Sequence, residues 1–168
     1  VGLELGCAVP AMIEALEHVE PVGDRGRVLC FDHHMLIADC YNANPGSVEA
    51  ALRSLAGLRG RRTGPLVAVL GDMLELGPEG PQLHAEAGRL AAALGLDALF
   101  SFGTLAQHAT EAARAAGLAA WHAGESIDDL AAAVRARFGP LAGALLVKGS
   151  RGMRLERVVA ALTASAAS

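Results

Sequence analysis

The stretch Leu36-Ile37-Ala38-Asp39-Cys40-Tyr41-Asn42-Ala43-Asn44-Pro45 decides the fold. The apolar run from His34 to Ala38 suits a buried strand. From Ser47 onward, Val48, Leu52, Leu55 and Leu58 recur at three- and four-residue steps, the mark of a helix with one face in the core. Between the two, Asn44 followed by Pro45 fits an N-cap and a first helical position. Proline lacks only an N–H that would be orphaned there, and the asparagine oxygen can accept one of the others. Strand, loop and helix in that order leave Asp39, Tyr41 and Asn42 at the C-terminal end of a parallel strand, where open α/β sheets bind ligands. An aspartate there can take ribose hydroxyls, the Tyr41 ring can pack on a base, and the Asn42 amide can both donate to it and accept from it. The same residues could instead pair with loop backbone, with Tyr41 plugging the core edge.

Outward from this unit, apolar runs alternate with helical patterns. Upstream, Arg27–Phe31 and Met35–Asp39 flank Asp32-His33-His34 and read as an antiparallel hairpin whose first strand lies at an edge. Downstream, strands are expected at 66–70, 98–102, 119–122 and 145–147, with helices at 82–94, 105–116, 127–138 and 153–162. Apolar runs buried on both faces and separated by helices mean a parallel sheet with right-handed crossovers. The expected fold is a Rossmann-like α/β domain, a mainly parallel six-stranded sheet with five parallel strands and one antiparallel edge strand, flanked by helices. Phe102 and Trp121 fall in apolar context and are assigned to its core. This domain takes residues 29–168. Residues 1–22, with a short helix from Pro10 carrying Ile13, Leu16 and Val19, are too few for a second one. Proline and glycines around residues 23–28 break both periodicities and read as a linker.

Composition sets the limits. The 168 residues, 52% hydrophobic and 19% charged, are enough for one well-buried domain and too few for two. A net charge of −4 and a pI near 5.8 give no electrostatic footprint for nucleic acid or an anionic membrane surface. No apolar stretch approaches the roughly 18 residues of a spanning helix. The start lacks the basic and apolar regions of a signal peptide, so a cytoplasmic protein is expected. Cys7, Cys30 and Cys40 are widely spaced, which argues against a disulfide framework and against a zinc knuckle. Cys40 reads as a small buried filler. His33 and His34 lack metal-ligand spacing and read as two solvated turn residues, so no metal site is expected.

The segments leaving the five parallel strands begin at Asp39, Gly71, Gly103, His122 and Lys148, and all must lie along one edge of the sheet. Gly71-Asp72-Met73 turns sharply out of its strand. Asp72 and Glu75 either face the crevice or serve as helix-starting and loop carboxylates, and His84 either orients a loop or faces a ligand. Lys148 is the only lysine beside thirteen arginines. With Gly149-Ser150-Arg151-Gly152 and a helix behind it, it would bring free N–H groups, a hydroxyl and two cations together as an anion site. The alternative is a solvated lysine with an arginine capping a neighbouring helix. Neither Gly-x-x-x-x-Gly-Lys-Ser/Thr nor Gly-x-Gly-x-x-Gly occurs.

Three strings, Asp39-Cys40-Tyr41-Asn42-Ala43-Asn44-Pro45, Gly71-Asp72-Met73-Leu74-Glu75-Leu76-Gly77 with His84 beyond it, and Lys148-Gly149-Ser150-Arg151-Gly152-Met153, resemble in order and spacing three motifs of the Mur ligases. These are the ATP-dependent amide ligases of peptidoglycan synthesis. The resemblance covers nearly the whole chain, as the last third of such an enzyme, and it marks residues 1–22 as the tail of a central ATPase domain. Within the family it is nearest to the ligase that adds D-Ala-D-Ala to UDP-N-acetylmuramoyl-tripeptide (UDP-MurNAc-tripeptide). The chemistry so implied is phosphorylation of a substrate carboxylate by ATP, then attack of the dipeptide amine on the acyl phosphate. In the family the phosphate loop and the Mg2+ ligands belong to the central domain. This stretch is therefore expected to bind and position without catalysing alone, and to hold no metal. The resemblance places Asp39, Tyr41, Asn42 and Asn44 on the nucleoside of ATP, and Lys148, Ser150 and Arg151 on the phosphates or the dipeptide. Family members often carry a second acid where Ala38 stands and a serine where Cys40 stands. A rival of another class is a stand-alone Rossmann-like module that binds some other anion or nucleotide and has no ligase domains beside it.

Overall fold

Every residue of Leu66–Gly71 is buried, as a strand covered on both faces requires, and the sheet extends to either side of it. The computed structural model describes residues 4, 6–17, 25–124 and 126–164. Its strands are β1 (Arg27–Phe31), β2 (His34–Asp39), β3 (Leu66–Gly71), β4 (Ala98–Phe102), β5 (Ala120–His122) and β6 (Ala144–Lys148). Its helices are α1 (Val9–Glu17), α2 (Pro45–Ala56), α3 (Gly80–Ala93), α4 (Gln107–Ala115), α5 (Ile127–Arg135) and α6 (Glu156–Ala164). The order across the sheet is β1-β2-β6-β3-β4-β5. Five strands run parallel, and β1 lies antiparallel at the edge. The Rossmann-like architecture expected from the alternation is the one observed.

Successive side chains of a strand point to opposite faces, and the two faces are covered by different helices. Leu66, Ala68 and Leu70 pack with Val48, Leu52 and Leu55 of α2, Ala87 and Ala91 of α3, and Ala109 and Ala113 of α4. Val67 and Val69 pack with Ile127, Leu130 and Val134 of α5 and Val158 and Leu162 of α6. The helices after β2, β3 and β4 thus lie on one face, and those after β5 and β6 on the other. Because β6 stands between β2 and β3, the chain leaves neighbouring strand ends toward opposite faces. Such a reversal opens a crevice at the C-terminal edge of an α/β sheet.

Local chemistry fixes the ends of the elements. Asn44 caps α2 through its side-chain oxygen, which accepts from the Ser47 N–H, and the Ser47 hydroxyl accepts from the Asn44 N–H in return. At the far edge, Arg114 of α4 donates from Nε to the Ala120 carbonyl of β5 at 2.7 Å. No helix among the described residues is long and apolar enough to cross a membrane.

Three sequence expectations are corrected. Strand β1 opens at Arg27, so residues 27 and 28 belong to the sheet and not to the linker. Val19 and linker residues 23–24 lie outside the described residues. In α1, Val9 and Ile13 are exposed. His34 is no solvated turn residue: it opens β2, is buried, and its Nδ1 accepts the Gly143 N–H at 3.2 Å. The hairpin turn is therefore Asp32-His33, with Asp32 at φ +50. Trp121 is 39% exposed, because β5 is a short edge strand with no outer neighbour. Its ring stacks on Phe100 at 5.1 Å and lies under the Arg137 guanidinium at 5.2 Å.

Helices α3 and α4 touch backbone to backbone at Gly88, where an added Cβ would come within 2.0 Å of the Ala109 carbonyl oxygen. Helix propensity favours alanine over glycine by about 1 kcal/mol, whereas forcing a methyl into filled space costs up to about 3 kcal/mol. Packing should win. Gly88→Ala is expected to lower unfolding stability by about 2 kcal/mol in urea melts, and a stabilised variant would contradict the contact.

Candidate functional site

Asp39 and Lys148 are register partners at the ends of β2 and β6, so both reach the same point on the C-terminal edge of the sheet. The Lys148 ammonium donates to Asp39 Oδ2 at 2.5 Å and to the Asn42 carbonyl at 2.9 Å. The Lys148 side chain is 1% exposed and that of Asp39 is 23% exposed. A charge so far from water persists only when paired and hydrogen-bonded. Lys148 is therefore neither a solvated lysine nor an unpaired cation. The predicted helix start behind it is also displaced. Arg151–Met153 forms a 3-10 turn, Arg154 takes φ +51, and α6 begins at Glu156. Gly149 packs against the backbone of Gly71, and the Leu155 side chain lies beneath both glycines. This close packing keeps the chain extended through Ser150, so the Lys148–Gly152 stretch does not sit on a helix N-terminus.

Ser150 is a buried knot. Its hydroxyl oxygen accepts the Leu74 N–H at 3.0 Å, its O–H donates to the Ala43 carbonyl at 3.4 Å, and its backbone N–H donates to the Asp72 carbonyl at 3.1 Å. The loops after β2, β3 and β6 are thereby joined. Asp72 turns away from the crevice: its Oδ1 accepts the N–H groups of Leu105 and Ala106 at 3.0 and 2.7 Å, which serves the start of α4. His84 orients a loop. It is buried, its Nδ1–H donates to the Gly80 carbonyl at 2.7 Å, and its Nε2 accepts the Met73 N–H at 2.9 Å. Burial, first among its causes, lowers the His84 pKa, in keeping with a ring that must stay neutral to accept. Glu75 adopts φ +67 on an exposed turn. Cys40 is buried and donates to the Val147 carbonyl, as a small filler would.

The exposed part of the site is a shallow cleft of about 210 Å³ lined by Arg25, Asp39, Tyr41, Asn42, Asn44, Ser47 and Lys148. Tyr41 is 38% exposed. The Arg25 guanidinium lies 4.0 Å from its ring centroid and that of Arg151 lies 5.4 Å away. Hydrogen bonding and charge from Arg25, then the charge of Arg151, lower the phenol pKa. The oxygen of the Asn42 side chain accepts the Ala43 N–H at 2.9 Å, which leaves its NH2 group toward the cleft. The structure thus gathers Asp39, Tyr41, Asn42, Asn44, Lys148 and Arg151 and sets Asp72 and His84 behind them as supports. Arg25 was not legible in the sequence. It lies in an irregular segment, where no periodicity says what an arginine will meet.

The mainly parallel sheet thus has its crevice at this strand reversal and carries the three motifs along its rim. Residues 11–151 match the family of the Mur ligase, glutamate ligase domain, and the chain belongs to that family. Among its relatives is the UDP-N-acetylmuramoyl-tripeptide–D-alanyl-D-alanine ligase (MurF) of Escherichia coli K12. That protein is 33% identical over 167 residues, which cover 96% of this chain and 34% of that protein. The crystal structure II of MurF from Acinetobacter baumannii superposes with a TM-score of 0.75 at 30% identity, over 97% of this chain and 35% of that one. The fold is shared too with MurF of Thermotoga maritima in complex with ADP, at a TM-score of 0.74, 24% identity, and coverage of 97% and 35%. The chain spans about a third of the length of the curated relatives it matches.

Because His84 binds its proton less readily when folded, the native chain carries fewer protons than the unfolded one as pH falls below the ordinary value of 6.5. The stability it contributes is complete above that pH and is lost as pH drops toward the depressed folded pKa. His34, lowered chiefly by burial, acts with the same sign. Melting midpoints should therefore decline as pH falls through the weakly acidic range. His84→Leu should flatten part of that decline, and at neutral pH it should cost about 1–3 kcal/mol for the stranded Met73 N–H. An unaltered slope in the variant would detach His84 from the effect.

Proposed function

We propose that the chain is the C-terminal domain of an ATP-dependent ligase of cytoplasmic peptidoglycan synthesis, which joins D-Ala-D-Ala to UDP-MurNAc-tripeptide through an acyl phosphate. The observation that carries this is the convergence of Asp39, Tyr41, Asn42 and Asn44 on one cleft at the strand reversal, in a chain of the Mur ligase family. Asp39 accepts a ribose hydroxyl, Tyr41 packs on the base, and the free amide groups of Asn42 and Asn44 donate toward the nucleoside. Arg151 faces the phosphates or the dipeptide carboxylate, which a planar guanidinium matches in two parallel bonds. Lys148 and Ser150 form the wall behind it, and Glu75 lies farther out.

Residues 1–22 belong in this reading to the central ATPase domain, and the segment before β1 links the two. The phosphate loop and the ligands of Mg2+ lie in the rest of the ligase. The sequence has no phosphate-loop motif. The work of this domain is to bind and to orient.

Two measurements test the proposal. The purified chain alone should show neither ATP hydrolysis nor amide formation, and turnover by a pure sample would refute it. In a full-length ligase carrying this domain, Asp39→Ala should raise the Michaelis constant for ATP by the equivalent of about 1.5–3 kcal/mol, the worth of a hydrogen bond to a charged group. A folded variant with a wild-type ATP constant would make Asp39 structural.

A further inference from the structure

One carboxylate oxygen of Asp39 is already occupied. Oδ2 is held by Lys148 at 2.5 Å, and among the described residues Oδ1 has no hydrogen-bond partner. The same ammonium holds the Asn42 carbonyl at 2.9 Å. One residue later Ser150 reaches the Ala43 carbonyl at 3.4 Å, so the loop that carries Tyr41 and Asn42 is fastened from beneath by the end of β6. Lys148 floors the cleft, but at 1% exposure its side chain has no surface to offer a ligand, whereas that of Asp39 is 23% exposed.

We propose that Lys148 is a positioning residue of the nucleoside site, acting through Asp39: it holds Oδ2 so that Oδ1 alone reads a single hydroxyl of the sugar. The inference rests on the reading of this cleft as a nucleoside site. An unpinned carboxylate can turn and accept from both hydroxyls of a ribose, one on each oxygen. A carboxylate with one oxygen committed presents the other in one direction, and specificity follows from that direction. The choice of residue fits. An ammonium is a compact point charge whose donors diverge toward a carboxylate on one side and a carbonyl on the other, while a guanidinium is a wide planar fork. In a chain that otherwise draws its positive side chains from arginine, this buried strand end carries lysine.

The test uses a full-length ligase carrying this domain, assayed with ATP, 2′-deoxy-ATP and 3′-deoxy-ATP. With the wild-type enzyme, kcat/KM should fall by at least about tenfold for one deoxynucleotide, the least that a hydrogen bond to a charged group is worth. For the other it should fall by less than about threefold. Similar losses for both would overturn the single-hydroxyl geometry. In Lys148→Met, the preference for ATP over the disfavoured deoxynucleotide should shrink to below about threefold, while the Michaelis constant for D-Ala-D-Ala stays within about twofold of wild type. Adding Asp39→Ala should then cause no further loss of preference, since both changes break one linkage. A raised dipeptide constant with the preference intact would make Lys148 a dipeptide contact and overturn the proposal. Asp39→Ala alone separates the layers. If it keeps the full preference, the nucleoside reading fails and this inference with it; if it loses the preference while Lys148→Met keeps it, only the inference fails. Circular dichroism checks folding. Where Lys148→Met does not fold, Lys148→Arg takes its place and should likewise lose the preference, full preference counting against the proposal. Should neither fold, the wild-type comparison of the two deoxynucleotides decides.

Discussion

Lys148 ends a strand that is buried along its length, and an ammonium can remain there only if both its charge and its protons are matched. The match comes from register. Parallel pairing of β2 with β6 sets Asp39 opposite Lys148, so the two ends of the pair are delivered by the hydrogen-bond ladder and not by a search of flexible side chains. Replacing such a pair by apolar residues can be neutral, but removing one member strands the other, at about 3–5 kcal/mol when both are buried. Asp39 is partly exposed, which softens that figure on its side. A slip of β6 by one residue would turn Lys148 toward a core face, so the ion pair also fixes the register of the central strand.

From this pair the rest of the edge is assembled by backbone groups. Ser150 joins the loops after β2 and β3, His84 and Asp72 brace the loop after β3, and Gly71 and Gly149 bring the two central strand ends close enough for Leu155 to lie under both. Polar side chains that look like ligand groups in the sequence are therefore divided by burial into two sets. Those with their hydrogen bonds met inside form the frame, and Arg25, Tyr41, Asn42 and Arg151 remain exposed on it. A site gains accuracy when its exposed groups stand on residues locked in this way.

Much of the fold was legible because its signals are local. The apolar runs gave the strands, the three- and four-residue steps in α2 gave its buried face, and Asn44-Pro45 gave its start. The candidate site was legible as a set of motifs and as one edge of the sheet. The partners within it were not. Asp39 and Lys148 lie 109 positions apart, and nothing near either residue says that they meet. The same holds for Ser150, whose bonds to the Ala43 and Leu74 backbone depend on strand order. His34 looked solvated because histidine beside a turn usually is; the Gly143 N–H that holds it lies 109 positions further along the chain, just before β6. Trp121 looked buried because apolarity marks a strand without telling a central one from an edge.

The bond from Arg114 to the Ala120 carbonyl bears on what happens beyond the last strand. On either side of β5 the Ala119 carbonyl and the Ala123 N–H bond to β4, and by the alternation of a parallel ladder the Ala120 carbonyl points outward. An outward row of unpaired carbonyls and N–H groups is a template on which another chain can lay a strand. Here the row is short, and its carbonyl is already claimed by a charged donor from a helix of the same domain. A foreign strand would have to displace a guanidinium, which cannot be neutralised at any ordinary pH. That bond narrows the part of this edge on which a further strand could be laid.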